Sequence, residues 1–228
     1  MSRTVTEQKI GVFLVAESLI ARLGALLLIS QQEDIEVVGE AGDADEAFSI
    51  TGDITPETVV LHAIPPKGSL ELTARLREVL PEISVIVLAE YEDDDGLLRA
   101  ILAGASAFIT KVSTREEIFD TIRKVADGER LISRNVLRRP RVARRILERF
   151  QKPSSVAKGL EPLVASLSAT EEDVLERIAK GNPSREIAAY FNISEPAVAH
   201  HVASILHKLD LNERTRTIAE SLLIGEAR

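Results

Sequence analysis

Between residues 10 and 128, short apolar runs alternate five times with longer stretches whose leucines and isoleucines recur at helical spacing. The runs are IGVFLVA from Ile10 to Ala16, IEVVGEA over 35–41, TVVLHA over 58–63, ISVIVLA over 83–89 and SAFIT over 106–110. Each is too short for a buried helix and most are rich in branched residues, so each predicts a strand covered on both sides. The stretches between them predict helices: one over 17–30, one opening at Asp43 as N-cap, and LELTARLREVL after the turn IPPKGS. DDDGLLRAILAG follows the fourth strand. STREEIFDTIRKVADG follows the fifth, with Ser113 or Thr114 as N-cap and Gly128 as the C-terminal stop. Five strands and five helices in alternation imply right-handed crossovers and a parallel sheet with helices on both faces. Ligands of such sheets collect outside the carboxyl ends of the strands. That edge carries Ala16, Glu17, His62, Ala89 and Lys111.

The pattern changes beyond residue 128. SRNVLRRPRVARRILERFQ (133–151) is amphipathic and arginine-rich, and predicts a helix after Pro140. KPSSVAKGLEP is a loose spacer. Four helices follow, over 168–180, 184–190, 195–208 and 214–224. Short turns join the first three, with Ser194 capping the third helix and Pro196 in its first turn. Three segments result: an α/β domain over 1–128, a basic linker helix and loop over 129–162, and a helical domain over 163–228.

Composition narrows the classes. The 228 residues include no cysteine, which removes disulfide frameworks, cysteine-zinc sites and thiol catalysis. The N-terminus has no apolar signal-peptide core. No apolar stretch approaches the ~20 residues of a membrane helix, so the cytoplasm is the expected location. The net charge of −8 is unevenly spread: −12 over residues 1–128, +8 over 129–160 and −4 over 161–228. Such asymmetry marks distinct modules. The basic segment reads first as a solvated linker helix and second as a nucleic-acid contact.

LSATEEDVLERIAKGNPSREIAAYFNISEPAVAHHVASILHKLDLNERT resembles the helix-turn-helix domain of the LuxR type. The match runs through Leu167, Glu171, Val174, Leu175, Gly181, Glu186, Ile187, Ala188, Ile193, Ser194, Val198, His201, Ile205, Leu206, Lys208 and Leu209. Upstream, AGASAFITK and DIEVVGEAGDADEA resemble the receiver domain of the NarL/FixJ response regulators. The resemblance implies an α/β plus all-α protein. A flavodoxin-like five-stranded parallel receiver domain would be followed by a linker helix and a four-helix LuxR-type helix-turn-helix domain. The implied function is that of a bacterial DNA-binding transcription regulator.

The departures from the resemblance lie at the chemistry. Receivers carry two acidic residues after the first strand, where this chain has Ala16 and Glu17. The aspartate nucleophile corresponds to His62 and the hydroxyl residue of the fourth strand to Ala89. The lysine is kept as Lys111, and the fifth-strand aromatic is Phe108. Aspartyl phosphorylation needs a carboxylate nucleophile and Mg²⁺ held by hard oxygen ligands. The expectation is therefore a receiver that takes neither, with Lys111 paired to Glu17. Three roles for the pocket stay open. His62 is a neutral strand-end histidine, or a phosphohistidine acceptor, or part of a site recast for a small molecule or partner protein.

The resemblance places DNA contacts on Arg185, Ser194, Ala197, Val198, Ala199, His200, His201, Ala203, Ser204 and Lys208, with Val198 and the alanines meeting thymine methyls. The groove-facing lysines common in the family are replaced by alanine, which predicts weak, dimer-dependent binding to double-stranded DNA. Dimerisation of the output domain falls on Ile218, Leu222 and Leu223, giving a homodimer or a heterodimer with a related regulator. The alternative is an adaptor or antagonist that pairs with another regulator and binds DNA weakly or not at all. No metal, cofactor or enzymatic activity is expected. His200 and His201 are adjacent rather than four apart, Ser106 precedes a strand, no phosphate-binding glycine motif occurs, and Glu90–Asp95 reads as a solvated helix start.

Overall fold

A computed structural model describes residues 9–54, 56–63, 67–80, 82–151 and 165–225. The chain divides into two compact units, residues 1–92 with 103–131 and residues 93–102 with 132–228. The first holds the sheet. Its strands are β1 (Ile10–Val15), β2 (Ile35–Ala41), β3 (Thr58–Ala63), β4 (Ser84–Ala89) and β5 (Ala107–Thr110). They are parallel and ordered β2-β1-β3-β4-β5, the flavodoxin-like arrangement.

Alternate residues of each strand feed opposite faces, and two cores result. Phe13, Val15, Val59, Leu61 and Val85 point to one side, toward Ala47 of α2 (Ala44–Ile54) and Leu72 and Leu76 of α3 (Lys67–Val79). Val12, Leu14, Ile35, Ile86 and Ala107 point to the other. There they meet Ile29 of α1 (Leu19–Ile29) and Phe119, Ile122 and Val125 of α5 (Arg115–Ala126). Helix starts follow local chemistry. Asp43 accepts from the amides of Asp45 and Glu46, and Thr114 and Glu117 form a reciprocal capping box. Gly128 closes α5 at φ +87°, a conformation that glycine adopts without strain.

The second unit takes in α4 (Asp94–Leu102), α6 (Ile132–Val136), α7 (Pro140–Gln151), α8 (Ala169–Ala179), α9 (Ser184–Phe191) and α10 (Glu195–Gly225). The linker helix is α7, and it is packed rather than solvated. Val142, Ala143 and Ile146 are fully buried, and the helix lies against α8 and α4. Asn192 turns the chain from α9 toward α10 in the left-handed conformation, φ 53°.

The two helices expected over 195–208 and 214–224 run as one continuous α10. Residues 197–224 contain no glycine or proline to break it. Asn212 bonds the backbone of Ala165 at 2.8 and 2.9 Å instead of turning its own chain. The Arg214–Asp210 and Arg216–Glu213 pairs run along the helix across the expected break.

The pairing of β1 with β2 shifts register at Val12/Phe13, so that Val38 is bulged and Gly39 opposes Phe13. A Cβ on Gly39 would stand 2.6 Å from Phe13 Cε2 and 2.8 Å from Cδ2, and Phe13 is fully buried. Gly39→Ala is thus expected to destabilise the fold by about 1–3 kcal/mol through overpacking. Urea unfolding of the two proteins, with unchanged denaturant slope, measures it.

Candidate functional sites

At the carboxyl edge of the sheet the expected pocket residues come together with one change of partner. Ala16 and Ala89 are buried, Glu17 is exposed and His62 is half-buried. Lys111 forms its ion pair with Glu90, not with Glu17. Strand order is the reason. Glu90 follows β4 and Lys111 follows β5, which are neighbours paired at Ala89 and Thr110, whereas β1 is separated from β5 by two strands. Burial first, and then the positive charge of Lys111, hold the His62 imidazole below its ordinary pKa and favour its neutral form. A second cation, unremarked in the sequence, borders this edge. Arg22 on α1 donates through Nη1 to the Ala16 carbonyl at 2.5 Å, and its Nε lies 3.8 Å from Glu40.

Mg²⁺ takes a near-octahedral shell of oxygens. The five pocket positions offer one carboxylate, an imidazole and an ammonium. The donor set does not fit that ion, and among the described residues no group of three His, Asp or Glu side chains is placed to hold a metal. No chemical step is derived through one.

In the second unit, α9 and α10 form the helix-turn-helix. Ser194 caps α10, its Oγ accepting from the Ala197 amide at 3.3 Å. Arg185, Ser194 and His200 are exposed, and Ala197, Ala199, His201 and Ala203 are partly so. Three of the expected DNA-contact residues are engaged elsewhere. Val198 is fully buried, because it lies on the same stripe of α10 as Val202, Ile205 and Leu209, all of them core residues. Its place is in the packing, not against a thymine methyl. Ser204 donates to Glu171 Oε1 at 2.7 Å, and Lys208 donates to Glu171 Oε2 at 2.6 Å and to the Ser166 carbonyl at 3.0 Å. Of the dimer residues, Ile218 is exposed, while the side chains of Leu222 and Leu223 lie outside the described residues.

Glu171 is the residue that sequence reasoning underused. The three-residue spacing of Ser168 and Glu171 is a capping-box signal that sequence reasoning passed over, and the box is present, with Glu171 Oε2 accepting from the Ser168 amide at 2.7 Å. The bonds to α10 could not be read from spacing. Burial works to raise the Glu171 carboxyl. The bonds from Lys208, the Ser168 amide and Ser204 overcome it and bring the pKa to about 2.

Residues 12–123 match the response regulator receiver domain, and residues 165–224 match the bacterial regulatory proteins of the luxR family. Over 210 residues the chain is 30% identical to the response regulator protein VraR of Staphylococcus aureus, spanning 92% of this chain and 94% of that protein. This chain belongs to the LuxR-type response regulators. A two-component response regulator of the LuxR family from Aurantimonas sp. SI85-9A1 superposes with a TM-score of 0.51 at 30% identity. The match covers 54% of this chain and 89% of that one. The RcsB response regulator of Salmonella typhimurium, at 19% identity and a TM-score of 0.50 over 89% of this chain and 91% of its own, shares the fold. The response-regulator family is one of transcription regulators rather than enzymes, and the luxR-family domain is its DNA-binding part. No described helix of this response regulator is long and apolar enough to cross a membrane.

The Glu171 network ties the N-terminus of α8 to the middle of α10. Glu171→Gln leaves donors that were bonded to a carboxylate with a weaker acceptor, and is expected to destabilise the second unit by about 1–3 kcal/mol at neutral pH. The depressed carboxyl contributes stability that is complete above its unfolded-state pKa and is lost as pH falls from about 4.5 toward about 2. Urea melts of wild type and variant at descending pH should therefore converge across that window. A difference that holds constant into acid would show that the charge on Glu171 does not matter.

Proposed function

We propose that this response regulator is a cytoplasmic, DNA-binding transcription factor whose receiver, residues 1–128, works without aspartyl phosphorylation. The linker is taken as 129–162 and the output domain as 163–228. One observation carries the reading. The strand-end position of the nucleophile holds an imidazole, His62, whose neutral form burial favours, and the lysine beside it is already paired with Glu90. A phosphoryl group there would meet no carboxylate nucleophile and no oxygen shell for Mg²⁺. Acetyl phosphate with Mg²⁺ is expected to leave the intact mass unchanged. A stoichiometric adduct would overturn the proposal. Selection from a pool of random duplexes, with no phosphodonor present, is expected to enrich a palindromic motif.

A receiver that takes no phosphoryl group can still serve as a dimerisation domain. On α1, Leu19, Ile20, Leu23, Leu27 and Leu28 stand exposed, Ile20 at 83%, and form one stripe with Gly24 and no charge. An apolar face of that extent marks an interaction surface, here taken to be covered by a second copy or by the receiver of a related regulator. Ile218 on α10 serves the same end in the output domain. Ile20→Glu with Leu27→Glu is expected to give a monomer by light scattering without lowering the melting temperature. A dimer of unchanged mass would remove α1 from the interface.

The adaptor reading rests on a specific observation as well. Lys208 is turned inward to Glu171, and the outward positions Ala199 and Ala203 carry no charge. If the selection enriches nothing, Ala199→Lys with Ala203→Lys separates the two. A large gain in affinity from an undetectable baseline favours the adaptor.

A further inference from the structure

The arginines of the linker are not equivalent. Arg139 pairs with Asp94 of α4 at 3.0 Å, Arg145 pairs with Asp95, Arg149 lies 3.7 Å from Glu213, and Arg144 donates to the Ala179 carbonyl at 3.3 Å. The side chains of Arg138 and Arg141 are exposed and make no hydrogen bond or ion pair among the described residues, and the same is true of the Arg185 side chain on α9. These three share one end of the unit. The Pro140 ring reaches to 4.0 Å from where a Cβ on Gly181 would stand, so the start of α7 lies against the turn between α8 and α9. Arg138 and Arg141 flank Pro140, and Arg185 opens α9 just beyond Gly181.

The first helix of a helix-turn-helix crosses the DNA backbone, and lysines and arginines at that edge supply most of the sequence-independent affinity. Here the recognition helix contributes little of that charge, since its one lysine is held by Glu171. We propose that α7 is a second phosphate-binding surface for duplex DNA, on which Arg138 and Arg141 continue the edge begun by Arg185. Arg139 and Arg145 are withheld from it by the carboxylates of Asp94 and Asp95. The α4 ion pairs and the DNA phosphates then compete for the same two guanidinium groups. Arginine suits either partner, because its planar fork matches carboxylate and phosphate alike.

This inference rests on the DNA-binding reading, and the test separates the two. Anisotropy of a labelled mixed-sequence duplex is followed with the full, unmodified chain across salt from ~50 to ~200 mM, plotting log affinity against log salt. Each phosphate contact contributes about 0.9 to the slope. Arg138→Ala with Arg141→Ala is expected to flatten the slope by about 1.8, from two lost contacts. Asp94→Asn with Asp95→Asn is expected to steepen it by up to the same amount. Arg75→Ala with Lys124→Ala removes equal charge from α3 and α5 and is expected to keep the wild-type line. Detectable binding with the Arg138/Arg141 variant superimposed on wild type would overturn the proposal while leaving DNA binding intact. Equal flattening by the Arg75/Lys124 variant would overturn it too, as an effect of net charge alone. Absence of wild-type binding at the lowest salt would overturn the DNA-binding reading, and this one with it.

Discussion

Parallel pairing is the constraint from which the first unit follows. Five strands running one way place every carboxyl end on a single edge, so residues far apart in the chain meet there whatever their spacing. Strand order then decides which of them are neighbours. Glu17, His62, Glu90 and Lys111 all reach that edge, but only Glu90 and Lys111 leave adjacent strands at matched positions. The pair partly neutralises the lysine, and burial first, with the remaining Lys111 charge second, disfavours a protonated imidazole at His62. With Glu90 occupied by Lys111, the single carboxylate of Glu17 offers too few hard oxygen ligands to hold a divalent cation there.

A comparable role in the second unit belongs to one buried carboxylate. Glu171 closes the cap of α8 and accepts from Ser204 and Lys208 on α10, which fixes the angle at which the recognition helix leaves the bundle. A buried charge is tolerable only when its acceptor sites are filled, and here they are. The consequence for function is a trade. The two side chains on α10 that complete Glu171 are turned toward α8, so the tie between these helices is made with polar groups that are no longer free to face outward. What remains outward on the first turns of α10 is Ser194, Glu195, Pro196, His200 and partly exposed alanines, a surface with no basic side chain to attract phosphate.

Much of this was legible in advance because the signals were local. Apolar runs bounded by caps located all five strands to within a residue, and Asp43, Thr114, Ser168 and Ser194 cap where a short polar side chain precedes a helical pattern. What was not legible depended on packing. Lys111 was assigned the wrong carboxylate because the sequence does not display strand adjacency. Val198, Ser204 and Lys208 were read as outward-facing because the inward side of α10 is set by where α8 sits. The expected break near residue 210 does not form, because residues 197–224 carry no glycine or proline to make it and their side chains pair along a continuous helix. The linker looked solvated because its charge is conspicuous, while Val142, Ala143 and Ile146 at helical spacing marked the face that is buried.

A chain of net charge −8 that binds DNA must do so through the placement of charge rather than its total. At about 0.1 M salt, fields fade over roughly 10 Å, so the carboxylates within that distance of a phosphate matter and the remainder scarcely do. This makes the partners of each arginine more informative than the arginine count. An arginine bound to a carboxylate within the protein gives up that pair to gain a phosphate, and the exchange is close to neutral. A free arginine gives up only water and counterions. By that measure the basic linker, for all its charge of +8 over 129–160, offers DNA a small surface, sited at the turn that leads into the helix-turn-helix. Two carboxylates on α4 set how large that surface is.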